Sequence, residues 1–587
     1  MTVSKRSRWI LALLVLSFLF AEALSAQSDA GQTPPSSSSS PQNSSPTEVP
    51  LDAHPAPPIE SQAQYPAVTI RETVRRVVVD VMVRDADGKP VHGLTAADFS
   101  IAEDKQPQSV LSFDVYDFDK ASIARAPDAP PLPPNVFDNL PATPERGPLY
   151  VMLLDLVNTA LDDQMTSRAQ VLKFIRNKPA GTRFAVFVTS DKLYLAQGFT
   201  DDKELLYAAV NAKKPKAHVP GVFLMGRNFG ANNAYSATDM LTHIGEYLDG
   251  IPGRKNLIWL AGTFPLSSSP EEGNSPLSDI IKAEMNALAQ ADVAVFPVEL
   301  TGVDPNPAVG SVNASQGSAE NIAAATGGLA FYNTNDVVEA MTTATEAGGN
   351  YYTLTYSPPS QEDEKCHKIS VKLDKGSDQL SYRHSYCRGL EVSAVGADTD
   401  HPAAATLAVP MQAADVLQGN IKAGAPMLHD LVFSAHLQPG AVALASPAQM
   451  AHLEEQAAFF GEERRNRPLK PLAPVKVQTF TIDYRVLDPL FKAQTSTASG
   501  KEPTLEFAVA AFDEDGKVLN GVVNDAVPEA SSQPAENKAG LYRARQALVV
   551  PVNATSIRVG VRDRANDHMG TLEVPLPLAP RKGSTAH

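Results

Sequence analysis

The run Leu149–Leu156, LYVMLLDL, is almost unbroken in its apolar character, and it passes through Asp155 into a loop carrying Thr159. A strand this apolar has no face to give to water, so it belongs inside a sheet covered on both sides. The sequence that follows makes the same demand several times. Further apolar strands are expected at Phe184–Thr189, Asn256–Leu260, Val293–Val298 and Leu329–Tyr332. Between them, residues 163–177, 201–211, 236–248, 278–290, 319–326 and 337–347 carry helical patterns. Buried strands alternating with helices specify a parallel sheet flanked by helices.

At 587 residues the chain exceeds one ordinary core, so about two to four domains are expected. Lys5, Arg6 and Arg8 precede an apolar run, Trp9–Ala21, and then the small residues Ala23, Ser25 and Ala26. This is the order of a signal peptide, expected over 1–25, and places the mature chain in the periplasm, the outer envelope or the medium. No later run is long and apolar enough to be a transmembrane segment of the mature chain. The formal charge of −16 argues against nucleic acid as a partner.

Residues 26–65 are rich in Ser and Pro and read as a disordered tether. Residues 66–118 are expected to form a small β-domain, because Val77, Val79, Val81 and Val83 alternate with other residues. Its Asp85-Ala86-Asp87-Gly88-Lys89 segment reads as a turn, with half a calcium loop as the other reading. A Pro-rich linker over 119–147 leads to the α/β domain, 148–390. A linker with helical character is expected over 391–470, and a β-rich C-terminal domain over 471–587, where a second D-x-D-G-K turn occurs at 513–517.

The two cysteines, Cys366 and Cys387, flank two strand-like segments, His367–Leu373 and Gln379–Tyr386, around Lys375–Asp378. Folding about that turn sets the cysteines opposite one another as a cross-strand disulfide. Two free thiols or a metal pair are the other readings; zinc would need a second ligand pair.

Taken together, VVVDVMVRDADGKPVHGLTAADFSIAED, LYVMLLDLVNT, GRKNLIWLAGTFP, ATGGLAFYNTND and YYTLTYSPP resemble the von Willebrand factor type A-related proteins frequent among exported acidobacterial proteins. The resemblance covers about residues 70–390. It implies a Rossmann-like type A domain working by protein binding, and the strand patterns on either side set it between N- and C-terminal β-sandwich-like domains. In such domains an Asp-x-Ser-x-Ser motif at a strand end holds Mg²⁺ or another divalent cation. Here Asp155 and Thr159 stand at two of the ligand positions, Val157 occupies the third, and the loop Ala261–Pro265 lacks the expected acid. Asn158 offers an amide oxygen between them. Ser236 and Thr238 are candidates for the loop hydroxyl. The other reading makes Asp155 a strand-end acceptor for nearby backbone amides and Thr159 a turn or cap residue.

No Gly-x-Ser-x-Gly elbow, Cys-x-x-Cys, His-Glu-x-x-His or phosphate-binding glycine loop occurs. The glycines of GVFLMGRNFG read as a loop. Gly253-Arg254-Lys255-Asn256 reads as a solvated turn or an anion site. Of Tyr351 and Tyr352, one is expected in the core and one exposed. The expected function is non-enzymatic protein binding or adhesion through the strand-end face formed by Asp155, Asn158, Thr159, Ser236, Thr238 and Thr263. The alternatives are a structural spacer in a cell-envelope assembly and a hydrolase with an unrecognised site.

Overall fold

The computed structural model describes residues 76–121, 124–190, 193–212, 233–265, 276–301, 309–358, 365–374, 379–387, 417, 419–460, 475–487, 505–524, 527–528, 541–564 and 566–578. The expected signal peptide, the tether, the Lys375–Asp378 turn and the GVFLMGRNFG loop lie outside the described residues.

The chain begins with β1 (Val77–Arg84), β2 (Phe99–Glu103), β3 (Gln106–Gln108) and β4 (Ser112–Tyr116), and β5 (Val136–Asp138) follows in the proline-rich stretch. Next come β6 (Leu149–Asp155), α1 (Leu161–Asn177), β7 (Arg183–Thr189), β8 (Leu193–Thr200), α2 (Lys203–Asn211) and α3 (Asn233–Leu248). After these lie β9 (Lys255–Ala261), α4 (Pro276–Gln290), β10 (Val293–Glu299), α5 (Val309–Thr326) and α6 (Val337–Gly349).

The sheet order is β10-β9-β6-β7-β8, parallel except for β8, and Phe331 extends it through a parallel bridge to Val298. Numbered from β6, with Phe331 sixth, the order is 3-2-1-4-5-6, that of a doubly wound Rossmann-like domain. Val171, Phe174 and Ile175 of α1, Leu206 and Val210 of α2, and Met341 and Ala344 of α6 cover one face. Leu241 and Ile244 of α3, Leu288 of α4 and Ile322 of α5 cover the other. The α/β expectation therefore holds in the packing. β8 was not expected, and the expected strand at 329–332 is reduced to the single bridge.

The N-terminal β-domain is built differently from the expectation. The chain leaves α6 directly into β11 (Tyr351–Tyr356), which pairs with both β1 and β4. β12 (Cys366–Leu373) pairs with β2, β13 (Gln379–Ser381) with β1, and β14 (Ser385–Cys387) with β12. Segments 77–116 and 351–387 together form two four-stranded sheets, β13-β1-β11-β4 and β14-β12-β2-β3, around one core. So the α/β unit is inserted into a β-sandwich, and the segment expected to close the 148–390 domain completes the earlier one. β1 and β4 cannot form a sheet by themselves, because β11 lies between them.

Cys366 does face Cys387 and forms the disulfide. The expected second hairpin strand is split, its first half pairing with β1. Tyr351 and Tyr352 are both buried: Tyr351 packs in the α/β core and Tyr352 in the sandwich core. β11 has no exposed face because it sits at the junction of the two.

Arg254 pins the same junction. It is 6% exposed; its Nη1 donates to Asp80 Oδ2 on β1 (2.9 Å), its Nη2 to the Gly327 carbonyl (3.0 Å), and its Nε to Asn256 Oδ1 (3.1 Å). The guanidinium also lies over the Tyr351 ring at 5.0 Å. It is therefore neither a solvated turn residue nor an anion site.

Beyond, β15 (Val432–Leu444), α7 (Pro447–Phe460), β16 (Lys476–Leu487), β17 (Leu505–Phe512), β18 (Val518–Asn524), β19 (Val527–Pro528), β20 (Leu541–Pro551), β21 (Ser556–Asp563) and β22 (Met569–Pro575) complete the fold. They form the sheets β19-β20-β16-β15-β5 and β18-β17-β21-β22 over a shared core. Two expected linkers thus contribute strands. β15 falls within 391–470, where Phe433, Ala435 and Leu437 alternate inward, and β5 within 119–147. The buried Asn139 fixes β5 by donating to the carbonyls of Leu428 (2.7 Å) and Leu431 (2.9 Å). This sandwich docks on the α/β unit through Asn420 Nδ2 to the Gly250 carbonyl (2.7 Å) and Phe199 N–H to the Gly424 carbonyl (2.8 Å).

The two D-x-D-G-K turns share one geometry. Asp85 Oδ1 accepts from the N–H groups of Asp87 and Lys89, and Asp513 Oδ1 from those of Asp515 and Lys517. Gly88 and Gly516 take φ of 79° and 74°, the left-handed region that favours glycine. These are turns closed by their own aspartates, not calcium loops.

Candidate functional site

In a doubly wound sheet the loops at the carboxyl ends of the strands diverge at the point where the strand order reverses. Here that point lies between β6 and β9. Asp155 ends β6, and the loop Gly262–Thr263 follows β9.

The Asp155 carboxylate is 1% exposed. Its Oδ1 accepts from the backbone N–H of Val157 (3.2 Å), the backbone N–H of Asn158 (3.2 Å) and the hydroxyl of Thr189 at the end of β7 (2.8 Å). Its Oδ2 accepts from the Asn158 side-chain amide (2.7 Å) and the indole N–H of Trp259 on β9 (3.1 Å). Five donors from three adjacent strand ends therefore converge on one carboxylate, and an anion this well hydrogen-bonded is satisfied in place.

The loops are also tied directly. The Thr159 hydroxyl donates to the Asp155 carbonyl (2.6 Å) and accepts from the Gly262 N–H (3.0 Å). Thr263 N–H donates to the Asn158 carbonyl (3.0 Å). A Cβ at Gly262 would stand 3.0 Å from the Asn158 carbonyl oxygen and 3.2 Å from the Thr159 Cα, so the crossing leaves little room for any larger residue.

This arrangement does not fit a divalent cation. A hard cation needs several oxygen lone pairs directed at one point. The groups around Asp155 direct N–H and O–H bonds there instead, and those dipoles repel a cation. Asn158 Oδ1 is the one side-chain oxygen of the Asp155–Thr159 loop that is buried without a partner, and a single neutral oxygen is too little. The reading of Asp155 as a strand-end acceptor describes this geometry.

The expected partner face is also largely internal. Asp155, Asn158, Thr159 and Thr238 are buried, whereas Thr263 is exposed. Ser236 lies on α3, and its side chain is outside the described residues. What this edge shows to solvent is different: Leu161 and Met165, one helical turn apart at the start of α1, are each 72% exposed.

Glu299, which ends β10, lies on the same edge without belonging to the expected face. It is buried, and burial holds its carboxyl above the usual range against hydrogen bonds from Asn333 and Gln316. The signal was present in the sequence, since an acid ends this strand as Asp155 ends β6. Nothing in the sequence announced Thr189 or Trp259, which reach Asp155 through sheet register.

No protein-family model matches the chain, and no curated protein matches it. Solved structures do. A von Willebrand factor type A protein from Catenulispora acidiphila is 11% identical, with 50% of this chain and 75% of that chain covered at a TM-score of 0.24. The vWF domain of the type V pili tip protein Mfa5 from Porphyromonas gingivalis is 10% identical, with 34% and 94% covered at 0.23. The ArnB paralog VWA2 from Sulfolobus acidocaldarius is 12% identical, with 54% and 76% covered at 0.21. Likenesses of this size carry no functional argument; the strand order alone defines the fold. Among the described residues no helix is long and apolar enough to cross a membrane.

Proposed function

We propose that this is an exported, non-enzymatic binding protein whose partner is another protein, held at the carboxyl edge of the α/β sheet without a bridging cation. The observation that carries this reading is the pairing of a closed, hydrogen-bonded strand-end loop with the exposed side chains of Leu161 and Met165. A preformed loop loses little entropy on binding, and apolar side chains supply area that is freed from water on contact. Export rests on the basic, apolar and small-residue order of the first 26 residues. The disulfide supports both parts: it suits an oxidising compartment, and it removes the chain's two thiols as nucleophiles.

The test is cross-linking and affinity capture with the mature protein from its native envelope fraction, comparing wild type with Leu161→Glu/Met165→Glu. A partner retained in EDTA and lost in the double variant is the expected result. A partner that requires Mg²⁺, or one indifferent to the double variant, contradicts the reading.

The spacer reading has one observation in its favour. Both sandwiches are joined to the α/β unit by partly buried contacts, Arg254–Asp80 on one side and Asn420–Gly250 on the other. In that reading, assembly persists in the double variant and fails when Arg254 is replaced.

A further inference from the structure

A second carboxylate cluster lies in the N-terminal sandwich, far from the strand-end loop in sequence. Glu103 ends β2, Asp104 begins the turn to β3, and His367 is the second residue of β12, next to the disulfide. Glu103 is 1% exposed and His367 5%, while the Asp104 side chain is half exposed. His367 Nδ1 lies 2.8 Å from Asp104 Oδ2 and 3.5 Å from Glu103 Oε1. One ligand atom from each of the three residues falls within 4.8 Å of the others.

Each acid is held by one oxygen, which turns the other inward. Glu103 Oε2 accepts from the hydroxyls of Tyr356 (2.6 Å) and Tyr386 (2.9 Å). Asp104 Oδ1 accepts from Lys368 N–H (2.9 Å). The Tyr386 ring lies against the imidazole at 5.2 Å and 28°, fixing its plane. Outer contacts of this kind orient the ligands of metal sites.

The burial of Glu103 adds to this. Among the described residues, His367 is the only ion-pair partner of either acid. Glu103 is almost wholly buried beside the His367 ring, while Asp104 is half exposed and also feels the neighbouring Lys368 ammonium. A buried carboxylate is costly unless paired, and a divalent cation would pair Glu103.

We infer that Glu103, Asp104 and His367 form a binding site for a divalent transition metal, with Zn²⁺ the fitting ion. An imidazole with two carboxylates favours Zn²⁺ over Mg²⁺ or Ca²⁺, which prefer oxygen ligands alone. Ligands about 2.0–2.1 Å from a tetrahedral Zn²⁺ stand about 3.3 Å apart. The Nδ1–Oε1 separation of 3.5 Å is already close to this. The Nδ1–Oδ2 separation of 2.8 Å must open slightly, which the half-exposed Asp104 permits. A fourth position on the half-exposed Asp104 side would be open to water or to a ligand from a partner. The bound ion would clamp the β2–β3 turn to β12 alongside the disulfide.

The test is isothermal titration of the EDTA-treated mature protein with ZnCl₂ and MgCl₂, together with thermal melts. One equivalent of Zn²⁺ should bind, Mg²⁺ should not bind comparably, and the melting midpoint should rise with Zn²⁺. Asp104→Asn suits the left-handed backbone there, φ 48°, and should weaken Zn²⁺ at least tenfold. His367→Gln should abolish the binding, and Asp85→Asn, in the other turn, should leave it intact. No Zn²⁺ binding by the wild type, or an isotherm unchanged in Asp104→Asn and His367→Gln, overturns the inference.

Discussion

The Asp155 loop and the Glu103–Asp104–His367 cluster both bury carboxylates, yet they have opposite chemistry. Around Asp155, five neutral donors fill both oxygens, so the anion is part of the scaffold. Around Glu103 and Asp104, each acid is anchored by one oxygen and turns the other toward one imidazole. The first region has the sequence position of a cation site without its lone pairs. The second has the lone pairs in a place no motif marks. What a buried carboxylate can hold is decided by the groups that already point at it.

Replacing Asp155 with Ala is the harshest test of that contrast. It strands the Trp259 indole, the Thr189 hydroxyl, the Asn158 amide and two backbone N–H groups in the interior. The expected loss is about 3–5 kcal/mol in urea unfolding, with or without Mg²⁺. A variant as stable as wild type would show that the donors are not committed to the carboxylate. This loss also means that weaker partner binding by Asp155→Ala would report a damaged fold, so Leu161 and Met165 are the better probes of the surface.

Opening the disulfide probes the other region. Cys366→Ser/Cys387→Ser releases a loop with a sequence separation of 21, worth about 3 kcal/mol in the chain-entropy model. Because His367 adjoins Cys366, Zn²⁺ should recover part of the loss in melts, and equal melts with and without Zn²⁺ would separate the cluster from the disulfide.

Thr189→Val removes one donor from Asp155 and keeps the shape. About 1.5–3 kcal/mol is expected from the loss of a hydrogen bond to a charged group. A neutral result would mean that the remaining donors suffice. Leu161→Glu/Met165→Glu should change stability by less than about 0.5 kcal/mol, since both side chains already face water.

A background titration lies outside both regions. Burial lowers Lys178 and Lys255 from 10.5 to about 8. Between those values the unfolded chain binds the protons that the folded chain has released, so stability should rise from pH 8 toward 10. Buried tyrosines such as Tyr150 and Tyr484, raised above their usual value of 10.0, oppose this above pH 10, where the unfolded chain loses protons first. Urea midpoints across pH 7–10 check the sign.

Much of the α/β unit was legible because parallel strands covered on both sides announce themselves as apolar runs, as at Leu149–Leu154 and Val293–Val298. The Asp155 turn was legible in part, since the N–H groups of Val157 and Asn158 are its neighbours in sequence. Its other partners, Thr189 and Trp259, are set by register across three strands, which no local pattern records. β11 read correctly as a strand, but its place between β1 and β4 depends on pairing across the whole inserted unit. β5 is only three residues long and lies among prolines. The His367 cluster left no local trace, because its acids lie more than 260 positions away in the sequence.

Trp259 allows the most direct test of the central claim. The chain has two tryptophans, Trp9 and Trp259, and Trp9 lies in the expected signal peptide, so the mature protein should carry a single indole. That indole N–H is bonded to Asp155 Oδ2. In ¹⁵N-labelled, EDTA-treated mature protein its resonance should be slow to exchange with solvent and unmoved by millimolar Mg²⁺. A saturable shift of that resonance with Mg²⁺ would place a cation on Asp155 and contradict the account.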